Sequence, residues 1–121
     1  MTASPVPANA DCVFCRIVAR EIPATIVRET DRTLAFRDVN PQAPVHVLVV
    51  PKAHTTTLTE LADDAELLGV LLQECVAVAR SEGIVDTGYR VAVNTGEQGG
   101  QVVQHCHLHV LGGRQLVGSL G

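Results

Sequence analysis

Tryptophan is absent from these 121 residues, and the aromatic set is limited to Phe14, Phe36 and Tyr89. So few flat side chains exclude a stacking platform for single-stranded nucleic acid. Basic residues are also scarce: the formal net charge is −4 and no basic stripe exists, which excludes a duplex-DNA binder. No apolar run approaches the roughly 20 residues needed to cross a bilayer. The first eleven residues, Met1 to Asp11, hold Ser, Pro, Ala and Asn without a basic region followed by an apolar one. They read as a flexible leader (residues 1–10) and not as a signal peptide. The expected compartment is the cytoplasm, where the four cysteines stay reduced. What is present suffices for one domain, expected over residues 11–121: 46% hydrophobic and 18% charged residues suit a chain that buries about two-thirds of its surface. No internal repeat interrupts it.

The local patterns predict an α+β domain. Asp11 is a candidate N-cap for a short helix over Cys12 to Arg20, stopped by Ile22-Pro23. Thr25 to Glu29 and Thr33 to Arg37 read as a hairpin around Thr30-Asp31-Arg32. Two prolines stiffen the loop Asp38 to Pro44, and Val45 to Val50 is a strongly β-prone run in which His46, Leu48 and Val50 share a face. A long helix is expected from about Leu61 to Ser81, with Leu61, Ala65, Leu68, Leu72, Cys75 and Ala79 as its apolar face. Acidic residues near its start, Arg80 near its end and Gly83 beyond fit the helix dipole and the C-cap rule. Tyr89 to Asn94 is a fourth strand, Thr95 to Gln101 a glycine-bearing loop, and Val102 to Leu111 a fifth strand. The order implies an antiparallel sheet covered by one long helix.

The fifth strand carries the chemistry. In His105-Cys106-His107-Leu108-His109-Val110-Leu111, polar and apolar residues alternate, the period of a half-buried strand. His105, His107 and His109 then line one face, roughly 6.5–7 Å apart along the strand. The loop before them, Asn94 to Gln101, contains three glycines and can bring backbone N–H groups close to an anion. A neutral imidazole attacks phosphorus if its other nitrogen is held by an acceptor, and a second histidine handles the leaving group's proton. Metal chemistry is the rival. Two histidines at i and i+2 reach one zinc ion, and a third ligand makes an open hydrolytic site from His105, His107 and His109. Cys12-x-x-Cys15, with His54 and His105 as distant partners, fits zinc, redox chemistry or coincidence. His46 alone reads as a core histidine, Asp38 as a turn former, and Cys75 as core packing.

These residues resemble the His-φ-His-φ-His-φ-φ signature of the histidine triad (HIT) family. The likeness extends through Phe14-Cys15-Arg16-Ile17, Glu21-Ile22-Pro23, Ala35-Phe36-Arg37-Asp38, Pro41-Gln42-Ala43-Pro44, Val50-Pro51-Lys52, Gly99-Gly100-Gln101 and Gly112-Gly113-Arg114-Gln115, covering Asp11 to Gln115. It is similar to the nucleoside phosphoramidase, or protein kinase C inhibitor-like, branch. The resemblance implies a five-stranded antiparallel sheet with one long and one short helix, extended across a homodimer. It implies hydrolysis of nucleoside 5′-phosphoramidates, or related adenylates, to the monophosphate through a nucleotidyl intermediate on His107, with a purine nucleotide as substrate. His109 would bind phosphate and assist proton transfer, and His46 would accept from the second nitrogen of His107. Asn94 and the backbone around Gly100, Gln101 and Val102 would hold phosphate and leaving group. Asp38 would hold the ribose, and Phe14, Ile17, Phe36 and Val39 would form the base pocket. Cys12, Cys15, His54 and His105 would form a structural zinc site, with no organic cofactor.

Two positions depart from that branch. Val102 stands where a serine is common, and the tail from Gln115 to Gly121 lacks a Trp-Pro-Pro ending. A nucleotide-binding or adaptor module with little catalysis, and a dinucleoside polyphosphate hydrolase, are the competing functions.

Overall fold

The computed structural model describes residues 11–118 of the chain. The leader expected at 1–10, and the last three residues of the tail, lie outside the described residues. The element order is α1 (Val13–Val18), β1 (Ile26–Glu29), β2 (Thr33–Arg37), β3 (Val45–Pro51), α2 (Leu58–Leu61), α3 (Ala65–Ser81), β4 (Tyr89–Val93) and β5 (Leu108–Gly112). The five strands form one antiparallel sheet in the order β1-β2-β3-β5-β4, the architecture the sequence predicts.

Strand β3 lies at the centre because it tolerates burial on both faces. Val47 and Val49 join Leu108 and Val110 of β5 under α3, whereas Leu48 and Val50 face α1, with Phe14, Ile17 and Phe36. The sheet therefore has two unequal cores. The larger anchors the long helix, and the smaller forms the floor beneath the histidines.

Three boundaries differ from expectation. Helix α1 is capped by Cys12, whose sulfur accepts from the Cys15 N–H, and not by Asp11. It ends at Val18 because Arg20 enters the left-handed region, with φ 63°. The long helix starts at Ala65, four residues late: Leu61 belongs to the separate turn α2, and Asp64 caps α3 by accepting from the Leu67 N–H at 3.0 Å. That start turns the buried face part of the way: Leu61, Cys75 and Ala79 of the expected stripe are buried, and Ala65, Leu68 and Leu72 are not. Leu67, Leu71, Cys75, Val78 and Ala79 are buried, whereas Ala65 and Leu72 are exposed. Adjacent leucines at 67/68 and 71/72 make both stripes look apolar in sequence. The inner stripe also admits Glu74, which is buried because Arg28 of β1 reaches it at 2.9 Å.

The third difference concerns the histidines. Val102 to His107 is not part of the sheet, and β5 begins only at Leu108. The antiparallel register with β3, continued by two residues, would set Cys106 opposite Pro51, which has no N–H to give. The Cys106 N–H turns instead to the Thr55 carbonyl at 2.6 Å. The alternation of faces nevertheless survives the loss of pairing. Cys106 lies in the α3 core, and His105 and His107 pack against Phe14 on the other side.

Leu71 is fully buried and Leu72 is 48% exposed. Truncating Leu71 to Ala is expected to cost about 2–5 kcal/mol in urea denaturation, and Leu72→Ala well under 1 kcal/mol.

Candidate functional site

The histidines separate into three settings, although they lie close together in sequence. His105 is fully buried and points at α1. Its Nδ1 lies 3.3 Å from the Cys12 sulfur and 3.6 Å from that of Cys15, while His54 Nδ1 lies 3.2 Å from Cys15. The four ligand atoms lie within 4.8 Å of one another. In a tetrahedron with Zn–S near 2.3 Å and Zn–N near 2.05 Å, a sulfur–nitrogen edge is about 3.5 Å, so these spacings suit a Cys2His2 ion. The tautomer suits it too. His105 Nε2–H donates to the Pro51 carbonyl at 2.8 Å, which leaves Nδ1 bare toward the sulfurs. Here Cys12, Cys15, His54 and His105 form a closed set with no position for a reacting water. The open hydrolytic site from His105, His107 and His109 is not formed, because the His105 ring is buried among Cys12, Cys15 and His54 while His107 and His109 line the pocket.

His107 is held differently. Its Nδ1–H donates to the carbonyl of His105 at 2.7 Å, so Nε2 carries the lone pair. The ring of Phe14 meets it edge-on at 5.1 Å. His46, expected to accept from His107, does not: its partner is His109. The Gln42 N–H donates to His46 Nδ1 at 3.0 Å, which places the His46 proton on Nε2, and Nε2 donates to His109 Nδ1 at 2.9 Å. The His109 proton is thus on Nε2, a buried donor with no partner among the described residues. Asp38, His46 and His109 also have potential ligand atoms within 4.8 Å of one another, but the Gln42 amide excludes a metal there. With Nδ1 engaged as acceptor, His46 Nε2 has no lone pair for a cation.

Gln42 is a functional residue that the sequence reading missed. Its signal was the Pro41-x-x-Pro44 loop directly before His46. The loop is clamped from the far end of β5, where Arg114 donates to the Gln42 carbonyl at 2.9 Å. Gly113 beside it adopts φ 91°, and a Cβ there would lie 2.9 Å from Pro44 Cβ. Asp38 is a turn former, as its default reading has it, and also approaches His46. Oδ1 accepts from the Asn40 N–H at 2.8 Å as a turn former, and Oδ2 lies 3.5 Å from His46 Nε2.

An open pocket of about 570 Å³ joins these groups. Phe14, Ile17, Phe36, Leu48 and Val39 line it on one side, Asn94, Gly100, Val102 and Val103 on another, with Asp38, His46, His107 and His109 between. Gln101, expected among the substrate contacts, is not in the lining. Its side chain is turned inward, accepting from the Gly96 N–H at 2.9 Å and donating to the Thr56 carbonyl at 2.7 Å. The amides of Gly100 and Gln101 are likewise engaged, with the carbonyls of Glu97 and Gly96. Gln101 braces the loop from within, and Gly99 permits the tight fold: a Cβ there would lie 2.3 Å from the Thr95 carbonyl oxygen.

Burial sets the charge of the pocket histidines. It pushes His109 down to about 4, helped by His107 and His46 and opposed by Asp38; it also lowers His46. Both are neutral near pH 7.

The comparisons with known proteins bear on the family and the fold. A family model described as HIT domain matches residues 19–116. A 14 kDa zinc-binding protein of Zea mays is 49% identical over 112 residues, covering 89% of this chain and 86% of that protein. A purine nucleoside phosphoramidase of Escherichia coli is 42% identical over 107 residues, covering 88% and 90%. Among solved structures, a HIT family hydrolase from Legionella pneumophila superposes with a TM-score of 0.88 at 47% identity, covering 92% of this chain and all of that one.

The depressed His109 value has a measurable consequence. Between pH 6.5 and about 4 the unfolded chain protonates this ring and the folded one does not, so its contribution makes stability fall as pH falls. At about 1.4 kcal/mol per pKa unit the loss attributable to His109 approaches 3 kcal/mol by pH 4. Urea titrations from pH 7 to 4 are expected to show a shallower decline for His109→Asn than for the unaltered chain.

Proposed function

From the premise that this chain belongs to the HIT family, in its nucleoside phosphoramidase branch, we propose that it hydrolyses nucleoside 5′-phosphoramidates or related adenylates, with His107 as the nucleophile. The observation that carries the reading is the 2.7 Å hydrogen bond from His107 Nδ1–H to the His105 carbonyl, which leaves Nε2 bare at the pocket. Nε2 attacks the α-phosphorus. A phosphorus–nitrogen bond to His107 forms, the bond to the leaving amine breaks, and the amine departs with a proton. Water then cleaves the nucleotidyl-histidine, releases the monophosphate and restores the ring.

The remaining groups take roles by position. His109 presents its unpartnered Nε2–H to the phosphoryl group. A bound phosphoryl charge favours the protonated ring, raising the depressed pKa toward the range needed to protonate the leaving amine. His46, through the chain from the Gln42 amide, fixes which nitrogen of His109 donates. The free side of Asp38 accepts from the ribose hydroxyls, and the apolar wall of Phe14, Ile17, Phe36 and Val39 takes a purine base. Because the amides of Gly100 and Gln101 are engaged within the loop, phosphate and leaving group meet Asn94 and the chain at Val102 and Val103.

We assign zinc to Cys12, Cys15, His54 and His105. A bound ion there supplies a cross-link between α1, the segment after β3 and the approach to β5, and no acid–base chemistry. Edge strand β4, with Val91 partly exposed, is the proposed seam across which two sheets join in a homodimer. A reducing, cytoplasmic setting suits four cysteines that are all free of disulfides.

Two variants test this reading against adenosine 5′-phosphoramidate. His107→Ala is expected to abolish turnover, with loss of at least about a thousandfold in kcat, while AMP still binds in calorimetry. Turnover at the unaltered rate would refute the assignment. Val102→Ser restores a hydroxyl at an 87% exposed rim position, and it is expected to change the ranking of leaving groups in kcat/KM without changing AMP affinity.

A further inference from the structure

His105 contributes to two structures at once. Its ring belongs to the Cys12–Cys15–His54 cluster, and its main-chain carbonyl is the acceptor that fixes the His107 tautomer. The second support of His107 has the same origin. Phe14, whose ring meets His107 at 5.1 Å and His105 at 5.9 Å, lies between Cys12 and Cys15 in sequence. Cys12, whose sulfur caps the six-residue helix α1, and Cys15 within it tie that helix to His105 and His54, beside the packing of Phe14 and Ile17 on the sheet. Phe36, at 5.4 Å from Phe14, closes the packing from the sheet.

We infer that the Cys12–Cys15–His54–His105 cluster is a positioning device for the nucleophile, with His105 as the positioning residue, and that metal loading sets the rate of phosphoryl attack as well as stability. The inference rests on His107 being the nucleophile. Its physical basis is that the hydrogen-bond acceptor of the His107 ring and one of the two rings packed on it come from residues tied into one cluster, the other ring being His109 at 4.9 Å. With the cluster loaded, the His105 ring is held at Nδ1 by the ion and at Nε2 by the Pro51 carbonyl, so the peptide that presents its carbonyl cannot rock. With the cluster empty, α1 and this peptide keep only weaker contacts. His107 then samples both tautomers, and one of them places the proton on the attacking nitrogen.

The test compares zinc-loaded protein with the same protein stripped by a chelator. Circular dichroism reports folding, AMP titration reports the pocket, single-turnover kinetics report attack, and long-range 1H–15N spectra report the His107 tautomer. The expected result is a folded metal-free protein with AMP affinity little changed and a mixed His107 tautomer. Its single-turnover rate should be about 10- to 100-fold lower, the range seen when the groups that orient a site are lost, and zinc should restore it. A folded metal-free protein with unchanged tautomer and rate overturns the inference. If stripping unfolds the chain, a zinc titration of His54→Ala replaces it, since this variant keeps both sulfurs and the His105 ring but has one ligand fewer to hold the ion. The same loss of tautomer and rate is expected there at low zinc, with recovery as zinc saturates. An unchanged tautomer and rate in that variant at low zinc, or its unfolding as well, overturns the inference and leaves the cluster a stability element only. A zinc-dependent tautomer in a protein that hydrolyses no phosphoramidate would instead sustain the positioning role and refute the proposed reaction.

Discussion

The hydrogen bond from His107 Nδ1–H to the His105 carbonyl is the constraint on which the proposed chemistry depends. An imidazole free to exchange tautomers presents a lone pair at a given nitrogen only part of the time. A main-chain carbonyl removes that ambiguity at small structural cost, because it carries no proton of its own and cannot titrate. It must, however, be aimed. The aim comes from the chain leaving the sheet just before Leu108, where Pro51 cannot continue the ladder and Cys106 turns to Thr55. A proline at the end of β3 thus shapes the candidate site: it ends strand pairing where the His105 carbonyl faces the next histidine.

The same logic runs through the second histidine pair. The Gln42 amide, a donor whose proton never leaves, fixes His46; His46 fixes His109; and His109 is left with one donor that meets no acceptor among the described residues. Two fixed backbone groups, one donor and one acceptor, therefore set the protons of three rings. A buried donor without a partner is costly in a folded chain and is tolerated where a ligand supplies the acceptor. Burial keeps His46 and His109 neutral until that ligand brings its charge.

Much of this was legible in the sequence. The period-2 alternation around His107 placed Cys106, Leu108 and Val110 in one core and the histidines on the other face, and it remained right where the strand itself is absent. The hairpin, β3 and the Cys-x-x-Cys cluster were equally readable, since each depends on local pattern or donor type. What failed depends on context. Which of two leucine stripes α3 buries is decided by where its cap falls, at Asp64, and by the partner Arg28 offers to Glu74. The partners of His46 and His107 are set by backbone groups of Gln42 and His105, and backbone groups leave no residue-type signal. The backbone at Gly100 and Gln101 was expected to meet phosphate, but both amides are engaged within the loop with the Glu97 and Gly96 carbonyls, which no residue-type signal reveals.

The central claim is that one nitrogen, His107 Nε2, is made nucleophilic by its neighbour's carbonyl. The most direct measurement is rapid-quench mass spectrometry after mixing with adenosine 5′-phosphoramidate, followed by fragmentation to locate any modified residue. The account predicts a transient adduct of one adenylyl group on His107, formed before AMP accumulates and decaying as AMP appears. AMP release with no adduct on any histidine, or an adduct on His109 with His107 unmodified, would contradict it.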